Sequence, residues 1–302
     1  MQSSTATGKI SLDHIYTQPD PRDYFTTLRR LEYQIPQQAQ PFFRALVDEY
    51  KTVTGTPLPT VLDIGSSYGI NAALMKCGAT MDDLYDRYAG PDAAALDRVA
   101  LLDRDRALVR SRRDPGVRFT GLDASGEALA YALAAGFLDD AVHADLEEND
   151  PTPMQRARLS RADLVVSTGC VGYVTERTLA RVIEAQDGRR PWMAHFVLRM
   201  FPFDSVEDVL DSAGYTTTRY ERLFPQRRFA TPDERADVLD TLRAEGVDPA
   251  GRETEGWFYA RLFVSRPRDA AGRAIIDLAP ASSAATGGTA AIPHTKERRE
   301  HD

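Results

Sequence analysis

Val61-Leu62-Asp63-Ile64-Gly65-Ser66-Ser67-Tyr68-Gly69 is the stretch whose reading decides the fold. Its first four residues are mostly branched and apolar, too short a run for a helix, and read as a buried strand. The glycines that follow let the backbone turn sharply and approach a ligand with no Cβ in the way. Asn71-Ala72-Ala73-Leu74 then opens a helical stretch. A dinucleotide fold places G-x-G-x-x-G at such a turn, with a pyrophosphate on the helix N-terminus. Only two glycines stand here, four positions apart. A nicotinamide-dependent oxidoreductase is therefore the weaker of the nucleotide-binding readings.

Downstream, short apolar runs alternate with helical stretches, the pattern of βαβ units in a mainly parallel sheet. Val117–Leu122, Ala141–His143, Asp163–Val166 and Met193–Leu198 read as further strands. Tyr215–Leu223 and Trp257–Val264 follow, separated by a helix within Asp233–Glu245 that Gly246 closes, which brings the count to about seven. Met81–Arg113 is too long for an ordinary connection and reads as a helical insertion. Upstream, Asp20-Pro21 reads as an N-cap followed by proline at the first helical position, with Tyr24, Leu28 and Leu31 on one face. Pro36 and Pro41 are expected to interrupt that helix before a second amphipathic run from about Phe42 to Val53. The expected organisation is an N-terminal helical cap over 1–59, an α/β core over 60–267 and a disordered, Ala-, Ser-, Thr- and Gly-rich tail over 268–302.

The 302 residues carry a formal net charge of -8 and are 42% hydrophobic, enough for one sizeable core. No apolar run approaches 18 residues, and Met1–Lys9 lacks the basic and apolar regions of a signal peptide, so a cytoplasmic protein without a membrane partner is expected. The acidic balance disfavours a nucleic-acid partner, despite the local basic set Arg104, Arg106, Arg110, Arg112 and Arg113. Cys77 and Cys170 alone build neither a disulfide framework nor a closed zinc site, so no metal is expected.

Four acid- or glycine-bearing segments follow successive strands: Asp63-Ile64-Gly65-Ser66-Ser67-Tyr68-Gly69, Gly121-Leu122-Asp123, Ala144-Asp145-Leu146 and Ser167-Thr168-Gly169-Cys170-Val171-Gly172-Tyr173. Asp123 is placed to accept ribose hydroxyls, or to cap the helix beginning near Ser125. In their order and spacing the four segments resemble the motifs of class I S-adenosylmethionine-dependent methyltransferases. The resemblance covers roughly Thr60–Pro202, with the last two strands matching that family's terminal hairpin. It implies a Rossmann-like, seven-stranded, mainly parallel sheet and S-adenosyl-L-methionine as cofactor. The binding residues it implies are Asp63, Gly65, Ser66 and Gly69 at the first turn, Asp123 and Ala124 at the ribose, Asp145 and Leu146 at the adenine, and Thr168 and Gly169 in the fourth motif. Ser66-Ser67-Tyr68 is bulkier than the family's usual glycine loop, and the insertion lengthens the interval from Asp63 to Asp123.

The N-terminal segments Tyr16–Phe25 and Leu31–Pro36 are dense in aromatic and charged residues. They look like the corresponding region of actinobacterial small-molecule methyltransferases, indole C3-methyltransferases among them. That likeness implies a small aromatic acceptor of specialised metabolism, with a homodimer left open. His14, Tyr16, Tyr24 and Glu32 are the candidate catalytic groups, with Tyr173 a further candidate base. O- or N-methylation of another small molecule, and a non-catalytic module that keeps the fold for binding, stand as alternatives. His195 lies in an apolar strand and reads as a hydrogen-bonded core residue, and Cys170 carries no sign of an activated nucleophile.

Overall fold

The computed structural model describes residues 13–112, 114 and 116–270. The cap consists of α1 (Asp13–Tyr16), α2 (Arg22–Arg30) and α3 (Ile35–Thr54). After it come β1 (Thr60–Ile64) and α4 (Ile70–Cys77), then three helices, α5 (Met81–Ala89), α6 (Pro91–Ala94) and α7 (Arg98–Arg112), where the insertion was expected. The chain continues with β2 (Arg118–Asp123), α8 (Gly126–Ala135), β3 (Asp140–His143), α9 (Pro153–Leu159), β4 (Leu164–Thr168), α10 (Glu176–Glu184) and β5 (Trp192–Leu198). It closes with α11 (Asp204–Ser212), β6 (Tyr215–Arg228), α12 (Pro232–Ala244) and β7 (Trp257–Pro267).

The seven strands form one sheet in the order β3-β2-β1-β4-β5-β7-β6, with β7 antiparallel to both of its neighbours and the remaining pairs parallel. This is the expected Rossmann-like α/β architecture. Alternation along the strands splits the core. Val61, Phe119, Val166 and Phe196 pack with the cap, α4, α7 and α8, while Leu62, Leu122, Val165 and Val197 pack with α9, α10 and α11. The chain winds outward from β1 through β2 to β3, then returns to β4 on the other side of β1. That reversal leaves a crevice at the carboxyl ends of β1 and β4, the place where open α/β sheets bind ligands.

The cap departs from expectation in α3 and at the start of α2. Pro36 and Pro41 do not interrupt it: α3 runs unbroken for 20 residues, with Pro36 in its first turn and Pro41 inside. At the first turn a proline gives up no bond, since that N–H has no helical partner. At Pro41 one bond is forfeited. The burial of Phe42 and Phe43, edge-on to Phe196 at 6.0 and 5.7 Å, stabilises the helix on the sheet in spite of it. Pro21 takes the N-cap position of α2, while Asp20 accepts Arg22 N at 3.1 Å and Nε at 2.8 Å.

The insertion holds the cap in place. Phe25 stacks on Tyr88 at 4.7 Å, Arg22 Nη1 donates to Leu96 O at 2.9 Å, and Arg98 Nε donates to Pro19 O at 2.8 Å. Asp105 in α7, fully buried, accepts from Tyr88 at 2.7 Å and from Tyr131 of α8 at 2.6 Å, joining the insertion to the core. β6 extends five residues past the expected Leu223; it is an edge strand, which tolerates Pro225, and two register shifts blur its alternation. Of the expected disordered tail, Arg268–Ala270 are ordered, with Arg190 paired to Asp269 at 2.8 Å, and 271–302 lie outside the described residues. No helix among the described residues is long and apolar enough to cross a membrane, and none of their His, Cys, Asp and Glu side chains group as a metal site.

Candidate active site

Pairing of Ile64 with both Leu122 and Ser167 brings the first, second and fourth segments to one edge of the sheet. The turn after β1 is held by Gly65 N and Ser66 N, which both reach Leu122 O, at 2.8 and 3.4 Å. Gly65 has φ +69°, and a Cβ there would fall 2.9 Å from Cys170 Cβ, so this glycine fits the turn both by conformation and by space. Gly69 has φ +77°, spends its N–H on Ser66 O and faces Ala132 and Phe137 of the core rather than the crevice.

Two bulky residues of the loop have distinct places. Ser67 adopts φ +48° and donates its N–H to Asp123 Oδ2 at 2.8 Å. Tyr68, 2% exposed, shares its hydroxyl proton between Ile15 O at 3.1 Å and Gln18 O at 2.9 Å, tying α1 to the loop. The hydroxyls of Ser66 and Ser67 are buried and without a partner.

Asp123 ends β2 with one N–H on each carboxylate oxygen, from Ser67 to Oδ2 and from Ser125 to Oδ1, both at 2.8 Å. Ser125, not Asp123, caps α8, by accepting Ala128 N at 3.2 Å. The Ala124 N–H also acts on this carboxylate; of its about four lone-pair sites, at least one stays open to a ligand. Burial pushes its pKa up, and the Ser125 and Ser67 N–H groups pull it back. Beside Asp123 runs a cleft of about 170 Å³ whose walls include Gly65, Leu122, Ala124, Asp145, Leu146 and Val174. Asp145 is exposed on its rim, its Oδ1 accepting Glu147 N at 3.0 Å and Glu148 N at 3.3 Å, while Leu146 is buried in the floor. Glu147 then braces the cleft by accepting Thr175 N at 2.9 Å and Thr175 Oγ1 at 2.7 Å.

On the other side of Gly65 a hydrogen-bonded chain crosses from sheet to cap. Buried Asp63 accepts Asn71 Nδ2 at 3.0 and 3.2 Å, and the same Nδ2 reaches Thr168 Oγ1 at 3.2 Å. The Tyr33 hydroxyl interacts with both Thr168 and the Tyr24 hydroxyl. Burial pushes Asp63 up to about 7, opposed by the Asn71 bond. It also pushes the Tyr24 and Tyr33 hydroxyls well above 10. Around them Tyr16 meets Tyr24 edge-on at 5.6 Å, and Tyr24 meets Tyr33 at 6.4 Å.

Among the candidate catalytic residues, Tyr16 and Tyr24 thus lie together against the crevice. His14 is exposed on α1, and Glu32, also exposed, pairs with Arg228. His195 is a core residue as expected: fully buried, its Nδ1 2.8 Å from Ser167 Oγ, with burial pulling its pKa down to about 4. Burial pushes the Cys170 thiol up to about 12, and its Sγ donates to Ile64 O at 3.1 Å, so it packs the turn. Sequence reasoning missed Asn71 and Gln226. Asn71 left a faint signal, one amide in an apolar helical run; Gln226 left none.

No protein-family model matches the chain, and no curated protein matches it by sequence. Among solved structures it is similar to magnesium protoporphyrin IX methyltransferase from Synechocystis, with 10% identity and TM-score 0.40 over 88% of this chain and 100% of that one. It is also similar to the plantazolicin methyltransferase BamL, with 10% identity and TM-score 0.41 over 84% and 93%. A precorrin-6y C5,15-methyltransferase from Geobacter metallireducens has 12% identity and TM-score 0.34 over 74% and 86%. Likenesses this remote carry no activity or substrate to this chain.

Proposed function

We propose that the protein is an S-adenosyl-L-methionine-dependent methyltransferase acting on a small aromatic molecule. The observation that carries the reading is Asp123, a carboxylate braced by main-chain N–H groups at the mouth of a partly apolar cleft, with lone-pair capacity left for a ribose hydroxyl. The cleft accommodates the nucleoside portion, and the unpaired Ser66 and Ser67 hydroxyls suit the polar amino-acid portion. The bound cofactor supplies an electrophilic methyl group. The work of this chain is then to hold an acceptor in line with it and to keep water out, which can account for a large share of the acceleration.

The Tyr16–Tyr24–Tyr33 cluster offers aromatic faces to a flat acceptor and to a nearby cation. With their hydroxyl pKa values pushed up by burial, Tyr24 and Tyr33 act as neutral hydrogen-bonding groups at physiological pH, not as ionised bases. An indole methylated at C3 is the acceptor we favour, because it is flat and neutral and its N–H suits a site rich in hydrogen-bonding groups. Among the candidates left, Tyr16 included, His14 is the base we favour, and His14→Ala then lowers turnover by about 10²–10⁴-fold without changing cofactor affinity.

Calorimetry with S-adenosylhomocysteine tests the cofactor. Asp123→Asn is expected to weaken binding by roughly 1.5–3 kcal/mol. Unchanged affinity with a lowered melting temperature reduces Asp123 to a loop brace, and wild type binding a nicotinamide dinucleotide instead returns the oxidoreductase. For the acceptor, isotope-labelled methyl donor is offered with indoles, phenols, amines and carboxylic acids. Product on a phenol or carboxylate alone defeats the indole while keeping the methyltransferase.

A further inference from the structure

Resting on the methyltransferase reading, we propose that the Gln226 carboxamide recognises the methyl acceptor, and that the acceptor presents to it a neutral N–H or O–H donor carried on an aromatic ring.

Gln226 is 3% exposed, and its Oε1 is buried with no hydrogen-bond partner. A buried amide oxygen left so is destabilising, and folded proteins rarely leave one unless a ligand or water completes it. The residue is also fixed in place. Its own carbonyl accepts Gln34 N of the cap at 2.8 Å, and Arg228 N two residues on donates to Leu31 O at 2.7 Å, so the end of β6 is strapped to the segment that carries Tyr33.

Room for the carboxamide comes from Gly169. A Cβ at that position would fall 2.2 Å from Gln226 Nε2, so any other residue there would displace the amide. Gly169 directly follows Thr168, whose hydroxyl accepts Asn71 Nδ2 at 3.2 Å and interacts with the Tyr33 side chain. The amide therefore meets the carboxyl end of β4 beside the aromatic cluster, on the side of Gly65 away from the nucleoside cleft.

Charge narrows the class of ligand. The adjacent guanidinium, Arg227, is taken up by Glu234 at 2.7 and 3.1 Å, so it offers no counter-ion to a carboxylate or phosphate. An amide oxygen repels an anion and accepts from a neutral donor. A heteroaromatic N–H or a phenolic O–H satisfies both the oxygen and the flat tyrosine faces.

The test uses the full chain saturated with S-adenosylhomocysteine and measures binding of two matched probe pairs, indole with 1-methylindole and phenol with anisole. In at least one pair the donor-bearing member binds about tenfold more tightly, the worth of one well-made hydrogen bond. Gln226→Met brings that ratio to about one while S-adenosylhomocysteine affinity stays within about twofold. Should the Met variant melt early, Gln226→Asn, which keeps the polarity and withdraws the reach, is read in its place. Equal affinity within both pairs for wild type, binding of neither member included, overturns the assignment, as does a ratio that persists in the variant. Failure of wild type to bind S-adenosylhomocysteine overturns the underlying reading and this one with it; intact cofactor binding without donor preference overturns Gln226 alone.

Discussion

At the scale of single residues, Asp63 has the most distinctive chemistry. Burial pushes its carboxyl up to about 7, against about 3.9 for an exposed aspartate. The folded state holds the proton more tightly, so this stabilisation is complete below about pH 4 and is lost as pH rises through about 7. Relative to Asp63→Asn, wild type is expected to lose roughly 2 kcal/mol of stability between about pH 5 and pH 8. Denaturant titrations of both proteins across that window measure it, and a difference independent of pH would mean the carboxyl is already ionised at pH 5. Gly65→Val, by contrast, is a poor probe of binding. The +69° φ and the Cys170 contact make it a packing lesion as well.

The carboxylates and glycines of the candidate site were legible because each lies at or near the end of a strand, where local pattern places it. Asn71, the Tyr33–Thr168 interaction and Gln226 were not, because their meaning depends on partners 8 to 192 residues away. Tyr68 was visible only as a misfit in a glycine loop. Its reason, a grip on the carbonyls of Ile15 and Gln18, lies in tertiary structure.

At the scale of elements, the strands were legible to within a few residues at nearly every end, because buried parallel strands are short unbroken apolar runs. The exceptions have physical causes. β6 lies at an edge, where Pro225 and two register shifts obscure its period, and α3 survives Pro41 because tertiary burial outweighs one lost bond. Two elements carry separable predictions. Tyr68→Phe leaves two carbonyls of the α1 region without their partner and is expected to speed hydrogen exchange of the amides near residues 14–18, at a cost of roughly 1–3 kcal/mol. Unaltered exchange there would show that α1 is held by other contacts. Where β6 meets α12, Arg227 and Glu234 form a buried ion pair at 2.7 Å beneath Phe258. Glu234→Ala strands the guanidinium and is expected to cost about 3–5 kcal/mol in denaturant unfolding; a loss under about 1 kcal/mol would mean that water reaches Arg227.

At the scale of the whole molecule, the insertion and the cap behave as one cover over the sheet edge. α7 is fastened to α8 through Asp105, α5 packs on α2, and Tyr85 of α5 donates to Tyr33 O. Removing the shared acceptor with Asp105→Ala is therefore expected to raise hydrogen exchange in α2 and at Tyr33 by about tenfold while amides of β1 and β4 keep their protection. Equal loosening of cover and sheet would show a single cooperative unit instead.

The bonds from Gln34 N to Gln226 O and from Arg228 N to Leu31 O have a consequence for how the protein is made. Segment 31–34 leaves the ribosome long before 226–228 exist. The cap can dock part of its apolar face on early strands, but its final fastening awaits nearly two hundred further residues. Assembly therefore finishes on a segment made well before its partner, and a nascent chain stalled before β6 holds the glycine turn after β1 without the strap from Gln226 to the cap. For that interval Phe42, which in the finished protein meets Phe224 edge-on at 5.3 Å, lacks that cover. Exposed apolar surface of this kind is what chaperones bind, so the cap is the segment through which a slow ribosome makes this protein vulnerable.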